Sequence, residues 1–412
     1  MEMRKMFFAP LMALCLVATL FTACGGKDKD SKTANQEKKA TVMADTAVLS
    51  NLKDFASRPR PRGNFGFYVY DLTADKPLYG VNQRSAQSSA SCLKLLTGVA
   101  GLHLLGTNYM YATDVYMRGN IVGDTLKGDV TFKAGLDPTI NEPELRYFAQ
   151  AVRKRGVKKI DGRLILDLVL REPVKSEPHW YPWDLSFSKY GIFYKGSDKL
   201  ARKLREAFNA AGVQVSDKQV VEGRVPQGSR CIFRFKRSIR RVIKRMWKNS
   251  SNTQATALLY TIGHRLSPHG NYTEAGVNYL RKFLKEDLGE KNSTLVLHDG
   301  CGLCTYNHLS PEALVSVLRY GYQHKDIYRL LYENLSIAGV DGTLHGEMTS
   351  EKTRGKIRAK TGTLSHPYGI SSLAGYCQSA SGHLLAFSIM DTDMSVLDAR
   401  VLQRKLCEAL VK

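Results

Sequence analysis

The stretch from Ser91 to Leu105 leaves this chain little freedom. Leu95, Leu96, Val99, Leu102 and Leu105 recur at helical spacing, and so apolar a helix must be largely enclosed by the rest of the protein. Ser91 stands at its start, where unpaired N–H groups and the macrodipole favour developing negative charge. Lys94 follows three residues on, which puts both side chains on one face about 5–6 Å apart.

The surrounding chain can bury such a helix. Its 412 residues, 43% hydrophobic and 24% charged, suffice for about two or three domains and exclude wholesale disorder. Gly66 to Asp71 predicts a strand. Lys356 to Thr361, Ile370 to Cys377 and His383 to Met390 predict successive antiparallel strands, with Gly382 in the last turn. Phe233 to Lys248 predicts one helix, with Ile239, Val242, Ile243 and Met246 as its apolar stripe and Arg240, Arg241, Lys244, Arg245 and Lys248 on the other side. That basic side suits either a solvated face or contact with anionic wall or lipid. Between these regions, residues 116–228 differ in character. Short β-like pieces, Asp129 to Lys133 and Arg163 to Leu168, surround a basic helix, Glu142 to Arg155. An inserted, β-rich accessory domain is expected there, within an α+β chain whose main domain comprises residues 46–115 and 229–412.

The N-terminus carries an export signal. Arg4 and Lys5 precede an apolar run from Met6 to Phe21, too short for a usual membrane span. Thr22, Ala23 and Cys24 follow. Residues 1–23 thus resemble a bacterial lipoprotein signal, with Cys24 the lipidated residue, although Phe21 stands where Leu is usual. Ordinary cleavage nearby is the alternative. Residues 24–45, rich in Gly, Lys, Asp, Ser and Gln, read as a tether. The expectation is an exported, periplasmic protein anchored to a membrane by lipid.

The formal net charge is +22, which favours anionic partners. No zinc-finger spacing, RNP-like aromatic run or homeodomain-like helix accompanies it, so nucleic acid is not an expected partner. Beyond the signal, Cys92, Cys231, Cys301, Cys304, Cys377 and Cys407 remain. The Cys301–Cys304 spacing lacks both a thioredoxin-like setting and a second zinc-ligand pair, which leaves buried thiols or one disulfide. No metal or organic cofactor is implied.

Three short motifs carry chemistry: Ser91-Cys-Leu-Lys94, Ser250-Ser-Asn252 and Lys360-Thr361-Gly362. Ser50-Asn-Leu-Lys53 and Ser186-Phe-Ser-Lys189 also match the first pattern, but neither opens a buried helix. A neutral Lys94 can take the Ser91 proton. From an ordinary lysine value that needs a fall of roughly 3 pKa units, which burial and a second cation, Lys360, both favour. Ser250 can pass a proton to a leaving amine, and Asn252 can hold a substrate amide and Lys94. Lys360, Thr361 and Thr363 offer a charge and hydroxyls to a carboxylate. Gly362 leaves room for a substrate strand alongside. The backbone N–H groups of Ser91 and Thr363 would supply an oxyanion hole.

The three motifs, in this order, are the signature of penicillin-binding proteins and class A β-lactamases. Longer strings narrow the resemblance. They include Ser89-Ala-Ser-Cys-Leu-Lys94, Gly135-Leu-Asp-Pro138, Ile160 to Asp167, Lys248-Asn-Ser-Ser-Asn252, Asp299-Gly-Cys-Gly-Leu303, Gly339 to Leu344, and Arg358 to Leu364 followed by Ser372 to Tyr376. From about Gly66 to Met390 the chain resembles the class C low-molecular-mass penicillin-binding proteins, serine D-alanyl-D-alanine carboxypeptidase/endopeptidases. That resemblance implies a penicillin-binding/β-lactamase-like transpeptidase domain, an antiparallel sheet flanked by helices, with Ser91 on a central helix. It implies peptidoglycan peptides ending in D-Ala as substrates and β-lactams as inhibitors. Ser251 stands where Asp is usual and Cys301 where Ser is. Ser365 to Tyr368 lengthens the segment after the third motif, and the spacing from Ser91 to Ser250 is short for the family, so a reduced insert is expected. A β-lactamase or esterase of the same fold, or a catalytically weak wall-binding lipoprotein, are the rival readings.

Overall fold

The computed structural model describes residues 42–60, 62–177, 179–181, 189–364 and 369–412. The signal, Cys24, nearly all of the tether, the rival Ser186 and the Ser365–Tyr368 extension lie outside these residues. Residues 42–412 form one compact unit.

The Asp45 carboxylate accepts the Val48 N–H and caps helix α1, Thr46–Ser57. Asp45 is buried and also receives the hydroxyls of Ser379 and Ser381. It therefore belongs to the folded unit rather than to the tether. Ser50 lies within α1 with its side chain exposed, which removes it as a rival nucleophile.

The first sheet has six strands. Their order is β11 (Ser336–Ile337), β12 (Ile357–Leu364), β13 (Ile370–Gln378), β14 (Leu384–Thr392), β1 (Asn64–Asp71) and β2 (Lys76–Val81). Every pairing is antiparallel. β13 and β14 are buried along nearly their whole length, which explains their unbroken apolar runs. Helices cover both faces. Met390, Ala374 and Tyr376 pack in the cluster that holds α2 (Leu93–Leu105), while Leu373, Phe387 and Ile389 pack with α1 and α10 (Val396–Val411). All residues from Leu93 to Leu102 are buried, as the sequence pattern requires. Around α2 stand α5 (Ile239–Lys248), α6 (Asn252–Leu266), α7 (Tyr272–Lys282), α8 (Pro311–Gln323) and α9 (Lys325–Asn334). A small ladder joins β3 (Gln87–Ser88) to β10 (His308–Leu309).

A second sheet is built from β4 (Met110–Val122), β5 (Thr125–Ala134), β6 (Lys159–Ile160), β7 (Leu164–Leu168), β8 (Val220–Glu222) and β9 (Arg230–Ser238). α3 (Leu145–Arg153) and α4 (Ser197–Ala210) accompany it. This sheet mixes parallel and antiparallel pairs. It starts before residue 116 and runs past 228.

One element differs from its sequence expectation. Helix begins only at Ile239, capped by the Ser238 hydroxyl, whereas Phe233–Ser238 continues β9. The reason is alternation with period two. Phe233 and Phe235 turn inward onto Phe148, while Arg234 and Lys236 stay exposed. Pairing with β4 satisfies the backbone.

Candidate active site

Ser91 sits in a single 3-10 turn, Ala90–Cys92, that runs straight into α2. Ala90 before it takes φ +42°, a left-handed conformation uncommon for a residue with a Cβ and typical of functional sites. The surroundings are shaped to hold it there. A Cβ at Gly302 would fall 1.9 Å from the Ala90 carbonyl oxygen, and one at Gly362 would fall 2.5 Å from the Ser89 carbonyl oxygen. Two glycines thus let the third-motif strand and the 299–304 loop close on the nucleophile turn from opposite sides. The Ser372 hydroxyl, donating 2.6 Å to the Ser89 carbonyl, pins that turn to β13.

Lys94 is wholly buried. Its Nζ lies 2.7 Å from Ser91 Oγ, 2.7 Å from Asn252 Oδ1 and 2.5 Å from the Cys301 carbonyl oxygen. A neutral amine has two N–H groups and one lone pair. In that state its two N–H groups serve the two carbonyl oxygens, which leaves the lone pair for the Ser91 O–H. Burial holds the amine below the usual lysine pKa, against weaker opposing pulls led by Cys301 and Asp299.

The Cys301 carbonyl is aimed by a buried carboxylate. Asp299 accepts the N–H groups of Cys301, Gly302 and Cys304 and the side-chain N–H groups of Asn307 and Trp180. Trp180 is therefore part of the interior. Cys301 and Cys304 are free thiols, as are the other four described cysteines. No disulfide holds this loop; the Asp299 hydrogen bonds do.

The second motif occupies the turn between α5 and α6. Ser250 takes φ +57°, Ser251 caps α6 by accepting the Gln254 N–H, and Asn252 opens the helix toward Lys94. Ser251 fills the position of the usual Asp with another good N-cap. Lys360, on β12, is also fully buried. Its Nζ donates to Ser250 Oγ at 2.8 Å and to the Thr361 carbonyl at 2.6 Å. Its pKa is pushed down to about 7 by burial first and by the nearby Lys94 charge second.

Ser91, Ser250, Thr361 and Thr363 line one cavity of about 250 Å³, and Gly362 packs behind it against the Ser91 N–H. Lys94 and Asn252 adjoin through Ser91, and Lys360 through Ser250. All eight motif residues expected at the site thus come together. β11 pairs only with Arg358 and Ala359, so the β12 edge from Lys360 onward has no strand partner among the described residues. Sequence reasoning missed four contributors. The Cys301 carbonyl holds Lys94. Thr343 meets the Thr361 hydroxyl at 2.8 Å. Glu347 and Arg400, an ion pair at 3.1 Å, also line the cavity. A backbone carbonyl has no sequence signature; Thr343 lay inside the Gly339–Leu344 string and carried the only available hint.

A buried amine set against a hydroxyl, beside an unoccupied strand edge, equips a serine acyl-transfer enzyme of the penicillin-binding type. The sequence matches the D-Ala-D-Ala carboxypeptidase 3 (S13) family over residues 48–191 and 193–410, and the chain belongs to that family. It is a serine-type D-Ala-D-Ala carboxypeptidase by class. A D-alanyl-D-alanine carboxypeptidase DacB from Haemophilus influenzae is 21% identical over 82% of this chain and 87% of its own length. The crystal structure of penicillin binding protein 4 (dacB) from the same organism superposes with a TM-score of 0.72 at 20% identity, covering 87% of this chain and 97% of that one. A predatory peptidoglycan endopeptidase from Bdellovibrio bacteriovorus superposes with a TM-score of 0.58 at 16% identity, covering 84% and 92%. At these identities the superpositions establish a shared fold.

Proposed function

We propose that Ser91 is the acyl-accepting nucleophile of an enzyme that cleaves D-Ala-D-X bonds in peptidoglycan peptides, with a terminal D-alanine as the preferred leaving group. Ser91 Oγ attacks the carbonyl carbon while its proton passes to neutral Lys94. The backbone N–H groups of Ser91 and Thr363 receive the developing oxyanion. As the C–N bond breaks, Ser250 hands a proton to the departing amine and the proton that Lys94 took from Ser91 replaces it, which leaves Lys94 neutral again while Lys360 holds the Ser250 hydroxyl in place. Asn252 orients the substrate amide. Lys360, Thr361 and Thr363 bind the leaving residue's carboxylate. Water then attacks the ester with Lys94 again as base, and Ser91 is restored. A cavity of about 250 Å³ suits one small amino acid on the leaving side.

The observation that carries this reading is the three-way hold on Lys94, which spares one lone pair for Ser91. β-Lactams should acylate the same hydroxyl. The second sheet is read as the accessory module inserted between the first two motifs. Cys24 is read as a lipid attachment point that tethers an exported, periplasmic enzyme; among the described residues no helix is long and apolar enough to cross a membrane.

Labelled penicillin, followed by mass mapping, tests the site. The wild type should carry one adduct on Ser91, and Ser91→Ala none. A stable adduct on any other residue overturns the assignment.

A further inference from the structure

A cavity of about 910 Å³ is not part of the site above. It lies between β1, α8 and the loop 288–294. A second cavity of about 460 Å³ shares Ser85, Ala86 and His308 with it, and the two adjoining spaces are taken together as one cleft. This cleft approaches the nucleophile. Ser88 borders its smaller part and is three residues from Ser91, so their Cα atoms are at most about 11 Å apart. Thr305 and Tyr306, just past the loop that holds Lys94, border the same part. The leaving-group cavity is lined instead by Ser250, Thr361 and Arg400. The cleft is thus a separate space beside Ser91, open to the acyl part of the substrate on the catalytic reading above, on which this inference rests.

Its chemistry is unlike the rest of the surface. In a chain of net charge +22, the larger cavity is nearly balanced: Arg84, Lys291 and Arg319 face Glu290 and Glu312. Arg84 is paired with Glu312 at 2.8 Å, and Arg319 with Asp75 at 2.9 Å. A polyanion gains little in such a place. The hydroxyls of Tyr68, Ser85, Ser293 and Ser316 also line it, and no hydrogen-bond partner is formed by any of them among the described residues. Tyr68 is the half-exposed ring of an otherwise buried stretch of β1. An amphipathic ring with unengaged hydroxyls around it matches a neutral polyhydroxylated ligand.

We propose that this cleft is a glycan subsite, which takes the N-acetylated amino-sugar end of the substrate whose peptide end reaches Ser91. A four-residue peptide spacer spans at most about 14 Å. That exceeds the separation of Ser91 from Ser88 on the wall of the cleft, at most about 11 Å between Cα atoms.

The test compares a free pentapeptide ending in D-Ala-D-Ala with the same pentapeptide carrying a disaccharide of N-acetylated amino sugars. In the wild type kcat/KM should be about tenfold higher for the glycopeptide, the equivalent of one or two good hydrogen bonds. Ser316→Trp, which fills the cleft from α8, should abolish the advantage and leave the free pentapeptide unchanged. Tyr68→Phe, which removes only a hydroxyl, should reduce it about threefold. Equal kcat/KM values in the wild type, or an advantage untouched by both variants, overturn the proposal. Calorimetric titration of Ser91→Ala with the disaccharide alone separates the two readings. Binding lost in Ser316→Trp supports the cleft even if catalysis is misassigned, and no binding in either protein counts against it even if Ser91 is acylated.

Discussion

Lys94 and Lys360, beside the first sheet, and Arg237, on the last strand of the second, are all nearly inaccessible to water, yet their surroundings are opposite. Arg237 is 6% exposed and lies between two carboxylates, with Nε 2.9 Å from Asp137 Oδ2 and Nη2 2.6 Å from Glu144 Oε1. The Asp137 contact is close but poorly aligned as a hydrogen bond, so it acts as an ion pair. The second sheet repeats this habit: Arg234 grips Asp114 with two nitrogens, and Arg224 meets the buried Asp167. The two lysines hold only neutral oxygens. A buried cation with a counter-ion keeps its charge, whereas one without it gives up its proton more readily. The scaffold uses the first arrangement for architecture and the site uses the second to make a base.

The sharpest way to break this contrast is to force a permanent charge into the site. Lys94→Arg should lower penicillin acylation by about 10²–10⁴-fold, as far as Lys94→Met does, because a guanidinium cannot surrender its proton at usable pH. Stopped-flow acylation of both variants measures it. A rate within tenfold of wild type for Lys94→Arg would mean that the residue's charge, not its lone pair, is what matters. In the wild type the rate should decline as pH falls and the Lys94 amine, which burial holds below the usual lysine range, regains its proton.

The converse change removes a paired cation. Arg237→Met strands Asp137, which burial already pushes up, together with Glu144. The expected loss is about 3–5 kcal/mol of unfolding free energy, read from urea denaturation, with acylation per folded molecule retained. A loss below about 1 kcal/mol would show that this triad, too, is only a tolerated burden.

Lys360→Met should instead stabilise the fold while abolishing turnover. A hydrophobic side chain of similar volume replaces a desolvated amine, worth about 1–4 kcal/mol at pH 7. The sign follows from linkage. The folded-state pKa is about 7 and the ordinary value 10.5, so between these the unfolded chain holds a proton that the folded one lacks, and wild-type stability rises with pH. The advantage of Lys360→Met should be full below pH 7 and shrink toward pH 10.5. An advantage that stays constant with pH would place its origin in packing rather than charge.

How much of this was legible follows the same division between local and non-local causes. α2, the three motifs and the three C-terminal strands were visible because each rests on a period or on a contiguous string. β9 was hidden by its neighbour. The strong stripe Ile239–Met246 extended a helix backward over Phe233 and Phe235, whose alternation acquires meaning only when Phe148 and β4 are opposite. Asp45 looked like tether because its partners, Ser379 and Ser381, are more than 330 residues away. The pairing of Arg237 with Asp137 and Glu144 joins three separate segments. The Cys301 carbonyl, 2.5 Å from Lys94 Nζ, belongs to the backbone, which every residue shares.

The smallest expected effect tests whether ion pairing in the second sheet matters by itself or only when water is excluded. Arg224 contacts Asp167 at 3.0 Å, but its own side chain is 68% exposed. Solvent screens such a pair, and ordering a long side chain offsets most of the remaining attraction. Asp167 retains the Val225 N–H after the change, so its carboxylate is not left without a donor. Arg224→Ala should leave both the denaturation midpoint and the acylation rate unchanged within error, in low and in high salt. A salt-sensitive drop in the midpoint would mean that the second sheet depends on its rim charges. Burial would then not be what separates structural ion pairs from incidental ones in this protein.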